Sequence, residues 1–214
     1  VETLNNRQGK IHSGNALTLT ATQISNQSGQ LVANGALVLH TAQLDNSAAG
    51  TVSSQDALSV QAERLNNRDG GLLLGSGLTT LTVQALDNTA GRLQSAGAMT
   101  FSGLNTLDNR QGRILANGAL SFNAAAVASA LALLTQGGTI RSGNTLHRNT
   151  RTLNNQGGML QSQQALTLAV HTDYTHRAGD ILNSNTAVTL SVAGVMTNLA
   201  DWLLPGNLTL GAAS

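Results

Sequence analysis

Residues 107–122 read LDNRQGRILANGALSF, and this pattern decides the fold. Leu107 opens the stretch, Asn109 follows two places on, Gly112 five on and Ile114 seven on. Leu120 and Phe122 close it around polar Ser121, in the period of two that a half-buried strand requires.

The same order recurs along the whole chain. Opening apolar residues stand at Leu4, Ile24, Leu44, Leu65, Leu86, Leu107, Leu133, Leu153, Tyr174 and Met196, spaced by 20 to 22 residues apart from one gap of 26, which makes about ten units. Two places after each opener come Asn6, Asn26, Asn46, Asn67, Asn88, Asn109, Asn155 and Asn198, with Thr135 and His176 as exceptions. The glycine slot reads Gly9, Gly29, Gly50, Gly70, Gly91, Gly112, Gly138, Gly158 and Gly179, the third unit carrying one extra residue before Gly50. The next apolar slot reads Ile11, Leu31, Val52, Leu72, Leu93, Ile114, Ile140, Leu160, Ile181 and Leu203. Closing pairs such as Leu17/Leu19, Leu58/Val60, Met99/Phe101 and Leu208/Leu210 finish the units.

Each unit therefore has three short apolar segments divided by Asn- or Gly-containing corners, none long enough for a helix. Three strands and three turns fit into about 20 residues only if the chain coils, with successive coils stacked at the ~4.8 Å spacing of a sheet. The expected fold is all-β, a parallel β-helix of about ten coils with three short strands each, some 45 to 50 Å long at roughly that spacing. Leu and Ile are expected to fill the lumen, Asn amides to bond along a ladder, and Gly to supply a corner conformation costly to residues with a Cβ.

Composition agrees. Only 10% of the 214 residues are charged and 2% aromatic, with 23 Gly, one Pro and no Cys. Stacking explains the neutral polar surface, because a charge repeated in every coil would set like charges ~5 Å apart. A net charge of +1 gives no electrostatic case for nucleic acid or an anionic membrane. Absence of Cys excludes a disulfide framework or thiolate metal site. There is no run of 18 apolar residues, so no helical membrane span is expected. The chain starts at Val1 in the middle of the pattern without the order of a signal peptide. It reads as one repeat segment, 1–214, cut from a longer chain, with an insertion near 123–132. Neither end shows a polar cap, which predicts end-to-end self-association in isolation.

LNNRQGKIHSGNALTLTA from Leu4, LDNRQGRILANGALSFNA from Leu107 and LNNQGGMLQSQQALTLAV from Leu153 closely resemble the repeats of filamentous haemagglutinins and of CdiA-type contact-dependent growth inhibition effectors. That resemblance covers nearly the whole chain. It implies a right-handed β-helical shaft, exported from a Gram-negative bacterium through an outer-membrane two-partner secretion transporter and secreted or held at the cell surface. It also implies, through the parent protein, a host or target-cell receptor or glycan as partner.

Departures from the pattern are the places for specific function. The insertion NAAAVASALA, residues 123–132, lengthens one coil by about six residues and reads as neutral or as a protruding recognition element. Arg148 falls where an inward residue belongs, so a local strand slip is expected in preference to a buried unpaired guanidinium. GLLLGSGLTTLTV, ending at Val83, is expected to bend at Gly75 and Gly77 and to displace the closing pair to Leu81/Val83.

No residue is assigned a catalytic, cofactor-binding or metal role. Asp87 and Asp108 occupy one slot in adjacent coils, but Asn5, Asn66 and Asn154 share it, which marks a turn position where Asp and Asn interchange. His171, Asp173 and His176 have ligand chemistry without a common strand face. Arg92 and Arg113, with Lys10 further off, read as a solvated edge. The sequence lacks the GGxGxD run of calcium-binding β-rolls, and its period misses the 18 residues of hexapeptide β-helices. A structural and adhesive shaft is expected, not an enzyme; a carbohydrate-binding or carbohydrate-active β-helix is the alternative. Such an enzyme needs long loops around a cleft and off-pattern carboxylates.

Overall fold

A computed structural model describes residues 1–123 and 131–211. The alternating apolar segments are three to nine residues long, and among the described residues they form 27 strands and no helix. Every strand pairing is parallel and joins a segment to its counterpart one coil away, so the chain winds into a solenoid of about ten turns.

Three faces result. The first carries the openers in register, Leu4 opposite Ile24, Ile24 opposite Leu44, and so on through Leu65, Leu86, Leu107, Leu133 and Leu153. The second is a nine-stranded sheet from Lys10–Ser13 to Ile181–Ser184. The third runs from Leu17–Thr20 to Asn207–Gly211. Strands Leu58–Asn66 and Thr79–Asp87 turn the corner unbroken and merge the third face with the first into one 16-stranded sheet. The first face is interrupted once: Tyr174–His176 pairs with Met196–Asn198 but not with Thr152–Asn154.

Inward residues of all three faces form one apolar core, with Leu31, Leu39, Leu93, Ile114 and Ile140 fully buried. Each such side chain contributes about 1.5–3 kcal/mol relative to exposure. Along one corner Asn6, Asn26, Asn46, Asn67, Asn88 and Asn109 form the expected ladder. Each Nδ2 donates to the next Oδ1 at 2.7–2.8 Å, from Asn6 as far as Asn109. The same Nδ2 groups also donate to main-chain oxygens, as Asn67 does to those of Gly71 and Arg92. After Asn109 the column changes to Thr135, whose hydroxyl donates to Asn155 Oδ1 at 2.9 Å.

The glycines of the pattern serve a different purpose from the one expected. Of the glycines named, Gly70 (φ 80) and Gly179 (φ 88) are themselves left-handed; elsewhere left-handed backbone falls on the residue before, for example Gln8 (φ 55), Ser28 (φ 54) and Ala90 (φ 53). The pattern glycine is required by close approach: a Cβ on Gly91 would sit well inside 3.0 Å of the Asn67 main-chain oxygen one coil back. The asparagine column thus packs so tightly against its neighbouring coil that no side chain fits there.

Register corrects several sequence assignments. Val52 lies opposite Leu73, not Leu72, and Gly71, not Gly70, meets the Asn46 oxygen; the fourth coil carries the same extra corner residue as the third. The closing pair of that coil is Thr79/Leu81, opposite Leu58/Val60 and Met99/Phe101, and Gly75 pairs in line between Ser54 and Ser95 without a bulge. Thr79 enters the lumen with its hydroxyl unpartnered among the described residues, and a Cβ on Gly75 would collide with that hydroxyl. Leu182 faces the lumen opposite Leu160, leaving Ile181 partly exposed, and Asp180 takes the glycine place. Leu203 is 88% exposed; Trp202 and Leu204 pack against the core instead.

The expected slip at Arg148 does not occur. Arg148 stays opposite Phe122 and Leu168, is 1% exposed, and holds its guanidinium carbon 4.1 Å from the Phe122 ring centroid. Phe122 is itself stacked on Phe101, with centroids 4.6 Å apart and planes within 3°. Parallel pairing on both sides fixes the register, and the aromatic face receives the cation.

Candidate functional site

The sequence features that resemble chemistry lie mainly on the first face. Outward-pointing residues there form a column at the end of each opener strand, including Asn5, Asp45, Asn66, Asp87, Asp108 and Asn154. Each turns its side-chain oxygen to the N–H two residues on: Asp87 Oδ1 accepts from Thr89 at 2.9 Å, Asp108 Oδ1 from Arg110 at 3.1 Å and Asp45 Oδ1 from Ser47 at 3.1 Å. These are Asx turns, which Asp and Asn make equally well.

Asp87 and Asp108 are brought side by side in register. Asp108 is further engaged by Arg110, whose Nη2 donates to Oδ2 at 2.6 Å. Partial burial pushes the Asp108 carboxyl up, but hydrogen bonds from Arg110 and its charge outweigh this and hold it below the ordinary carboxylate range. A general acid needs the reverse shift. Both carboxylates are committed to their corners by these turns.

Beside this column runs a shallow cleft of about 570 Å³, floored by Ala85, Thr106, Ala132 and Leu134 and edged by Arg64, Arg68, Asp87 and Asp108. A second depression continues it past Arg64 and Asn66 toward Arg7. Part of the insertion near 123–132 adjoins this face; residues 124–130 lie outside the described residues.

Other candidates are dispersed. Arg92 and Arg113 are in register on the second face, whereas Lys10 is several coils away. His171 Nε2 lies 2.6 Å from Asn149 Oδ1, Asp173 Oδ1 accepts from Val195 N at 2.7 Å, and His176 is buried against Tyr174 and Trp202. Among the described residues no group of three or more His, Cys, Asp or Glu is gathered about one point. The described residues contain no helix long and apolar enough to cross a membrane.

Sequence reading missed the lumenal polar residues. Thr79 was hidden because the expected closing pair, Leu81/Val83, lies two residues beyond the one that enters the lumen. Asp180, which accepts from Gly157 N at 2.8 Å and Arg177 N at 3.0 Å, was hidden by Gly179 beside it. The signal available was the interval from Leu160 to Leu182, two residues longer than that from Ile140 to Leu160.

Comparison with known proteins places this architecture. No curated protein and no solved structure gives a match. The family model of the haemagglutinin repeat matches residues 1–62, 39–130, 100–169 and 115–213, which together run along almost the entire chain. The chain belongs to the haemagglutinin repeat family.

Proposed function

We propose that this solenoid is a shaft segment of a large bacterial exoprotein, an adhesin or a contact-dependent inhibition effector of the CdiA type, that carries a distal binding or toxic module away from the cell. The observation that carries the reading is the register: openers remain aligned from Leu4 to Leu153 without a long loop among the described residues to break the rod. Such a rod resists bending because neighbouring coils are bonded on three faces as far as the eighth coil. Membership of the haemagglutinin repeat family supports a secreted or surface-associated location and an adhesin-type role. In this reading a two-partner secretion transporter exports the parent chain, the helix is right-handed, and a receptor or glycan on the opposing cell is the partner. No nucleic acid partner is required.

A carbohydrate-active role is less well supported, because the adjacent Asp87 and Asp108 serve as turn caps and Asp108 is held ionised by Arg110. The test is binding of the folded 214-residue chain to intact bacterial cells, epithelial cells and a glycan panel. A pure spacer shows no saturable binding. Saturable, competable binding assigns recognition to this segment, and release of shortened sugars from a bound glycan would overturn the shaft reading. Sedimentation of the same sample tests the end-to-end association expected of open coils.

A further inference from the structure

We propose that residues 199–206 form a strap over the ninth coil that is latched by neutral His176 and released when that side chain is protonated. In the tenth coil the second-face strand is missing; the chain passes from Met196–Asn198 directly across to Asn207–Gly211. The crossing segment lays Trp202 and Leu204 against the core while Leu199 and Leu203 remain exposed.

His176 occupies the asparagine slot, and of the five histidines it alone is buried, at 1% exposure. Its ring lies 4.6 Å from that of Trp202, its Nδ1 is 3.4 Å from the Tyr174 hydroxyl, and its main-chain oxygen accepts from Leu199 N at 2.9 Å. The strap thus rests on the imidazole and is tied to the backbone of the same residue. The junction below is also weak, since Tyr174–His176 has no ladder to Thr152–Asn154 and the Asp180 carboxylate instead receives Gly157 N. An Asn cannot change charge at this place; a His can.

The charged and titratable groups around the latch are few. Tyr174 lies on its own strand, Arg177 and Asp180 at the next corner, and Asp201 on the strap; strands Thr152–Asn154 and Met196–Asn198 carry none. Burial pushes the His176 imidazole below its ordinary value, against opposing contributions from the Asp180 charge and the Asp201 backbone. A base depressed in the closed state stabilises closure fully above about pH 6.5, its ordinary value, and loses that contribution as pH falls through the depressed value. The open population rises about tenfold for each pKa unit separating the closed and open states.

The chain's only Trp reports the strap directly. Between pH 7.5 and 5, wild-type Trp202 emission is expected to shift to the red with unchanged far-ultraviolet circular dichroism. Amide exchange at Leu199, corrected for its intrinsic rate, is expected to accelerate over the same range. His176→Asn, which restores the residue common in this column, abolishes both changes. No wild-type shift, a shift that survives His176→Asn, or one centred near pH 4 in the carboxylate range overturns the proposal. If His176→Asn does not fold, His176→Gln serves. If neither folds, exchange in the wild type decides: Leu199 must lose protection between pH 7.5 and 5.5 while Leu160 keeps it, and equal protection at both pH values overturns the latch.

Discussion

Replacing Arg148 by Met should make the rod more stable. In the third-face column Arg148 follows Leu19, Leu39, Val60, Leu81, Phe101 and Phe122 and precedes Leu168, Leu190 and Leu210. Its Nε, Nη1 and Nη2 have no hydrogen-bond partner among the described residues, and burial pushes its pKa down to about 9. Exchanging buried ionic groups for apolar ones of similar volume stabilises by roughly 1–4 kcal/mol. Loss of the contact with Phe122 takes back up to about 2 kcal/mol. Met keeps the unbranched length of the Arg stem and fills the same column. The net gain expected is about 1–2 kcal/mol, which for a chain of this size corresponds to a rise in Tm of roughly 2–8 °C.

Thermal unfolding followed by circular dichroism at pH 7 checks the midpoint, and amide exchange at Leu146 and Leu168 shows whether the gain is local, as a stacked array allows. The pH dependence supplies a second readout. A cationic group whose folded pKa is depressed binds fewer protons in the native state, so the wild type regains stability as pH rises through about 9 toward the unfolded value. The advantage of Arg148→Met must therefore shrink between pH 8 and pH 10. A lower midpoint for the Met variant at pH 7, or an advantage that grows with pH, refutes the reasoning.

Four further substitutions probe the corners and the lumen. Gly91→Ala should cost about 2–4 kcal/mol, in the range of severe packing errors, because its Cβ meets the Asn67 oxygen; Ala90→Gly, relieving a left-handed residue, should gain about 1 kcal/mol by chemical denaturation. If the two effects have the same sign, the division of labour between the paired residues is wrong. Asn88→Ala removes the acceptor of Asn67 and the donor to Asn109, with an expected loss of about 2–4 kcal/mol; amide exchange should locate the loss in the fourth to sixth coils, and uniform loss along the rod would contradict it. Thr79→Val removes a buried unpartnered hydroxyl at nearly constant volume and should raise the urea midpoint by about 1 kcal/mol equivalent. A lower midpoint would mean that the hydroxyl is satisfied.

The fold was legible because apolar residues recur with the coil. Leu4 to Leu153 align in the structure as their spacing requires, and the amide ladder follows from Asn recurring two places later. What spacing cannot reveal is where an added residue is absorbed. The extra residue of the fourth coil sits in the Asp69–Gly70 corner, and counting forward from Leu65 therefore selected Leu72 when Leu73 enters the lumen. Arg148 was misjudged because the desolvation cost of one side chain was weighed against a slip without the cost of unpairing both neighbouring strands. The role of the pattern glycine was hidden for a similar reason: the atom that excludes a side chain belongs to the preceding coil. At the first-face corner the mixture of Asp and Asn correctly signalled turn capping, since both side chains present the same acceptor to the N–H two residues on.

The asparagine column also gives the rod a polarity. Each amide from Asn6 to Asn88 points its Nδ2 at the Oδ1 of the following coil, so five successive hydrogen bonds run in one direction and their dipoles add. Chains of this kind strengthen one another by mutual polarisation. A coil joined in reverse would set oxygen against oxygen at one junction or nitrogen against nitrogen at the other. Over the first six coils the column therefore acts as a one-way key: it admits stacking of one coil on the next in a single direction.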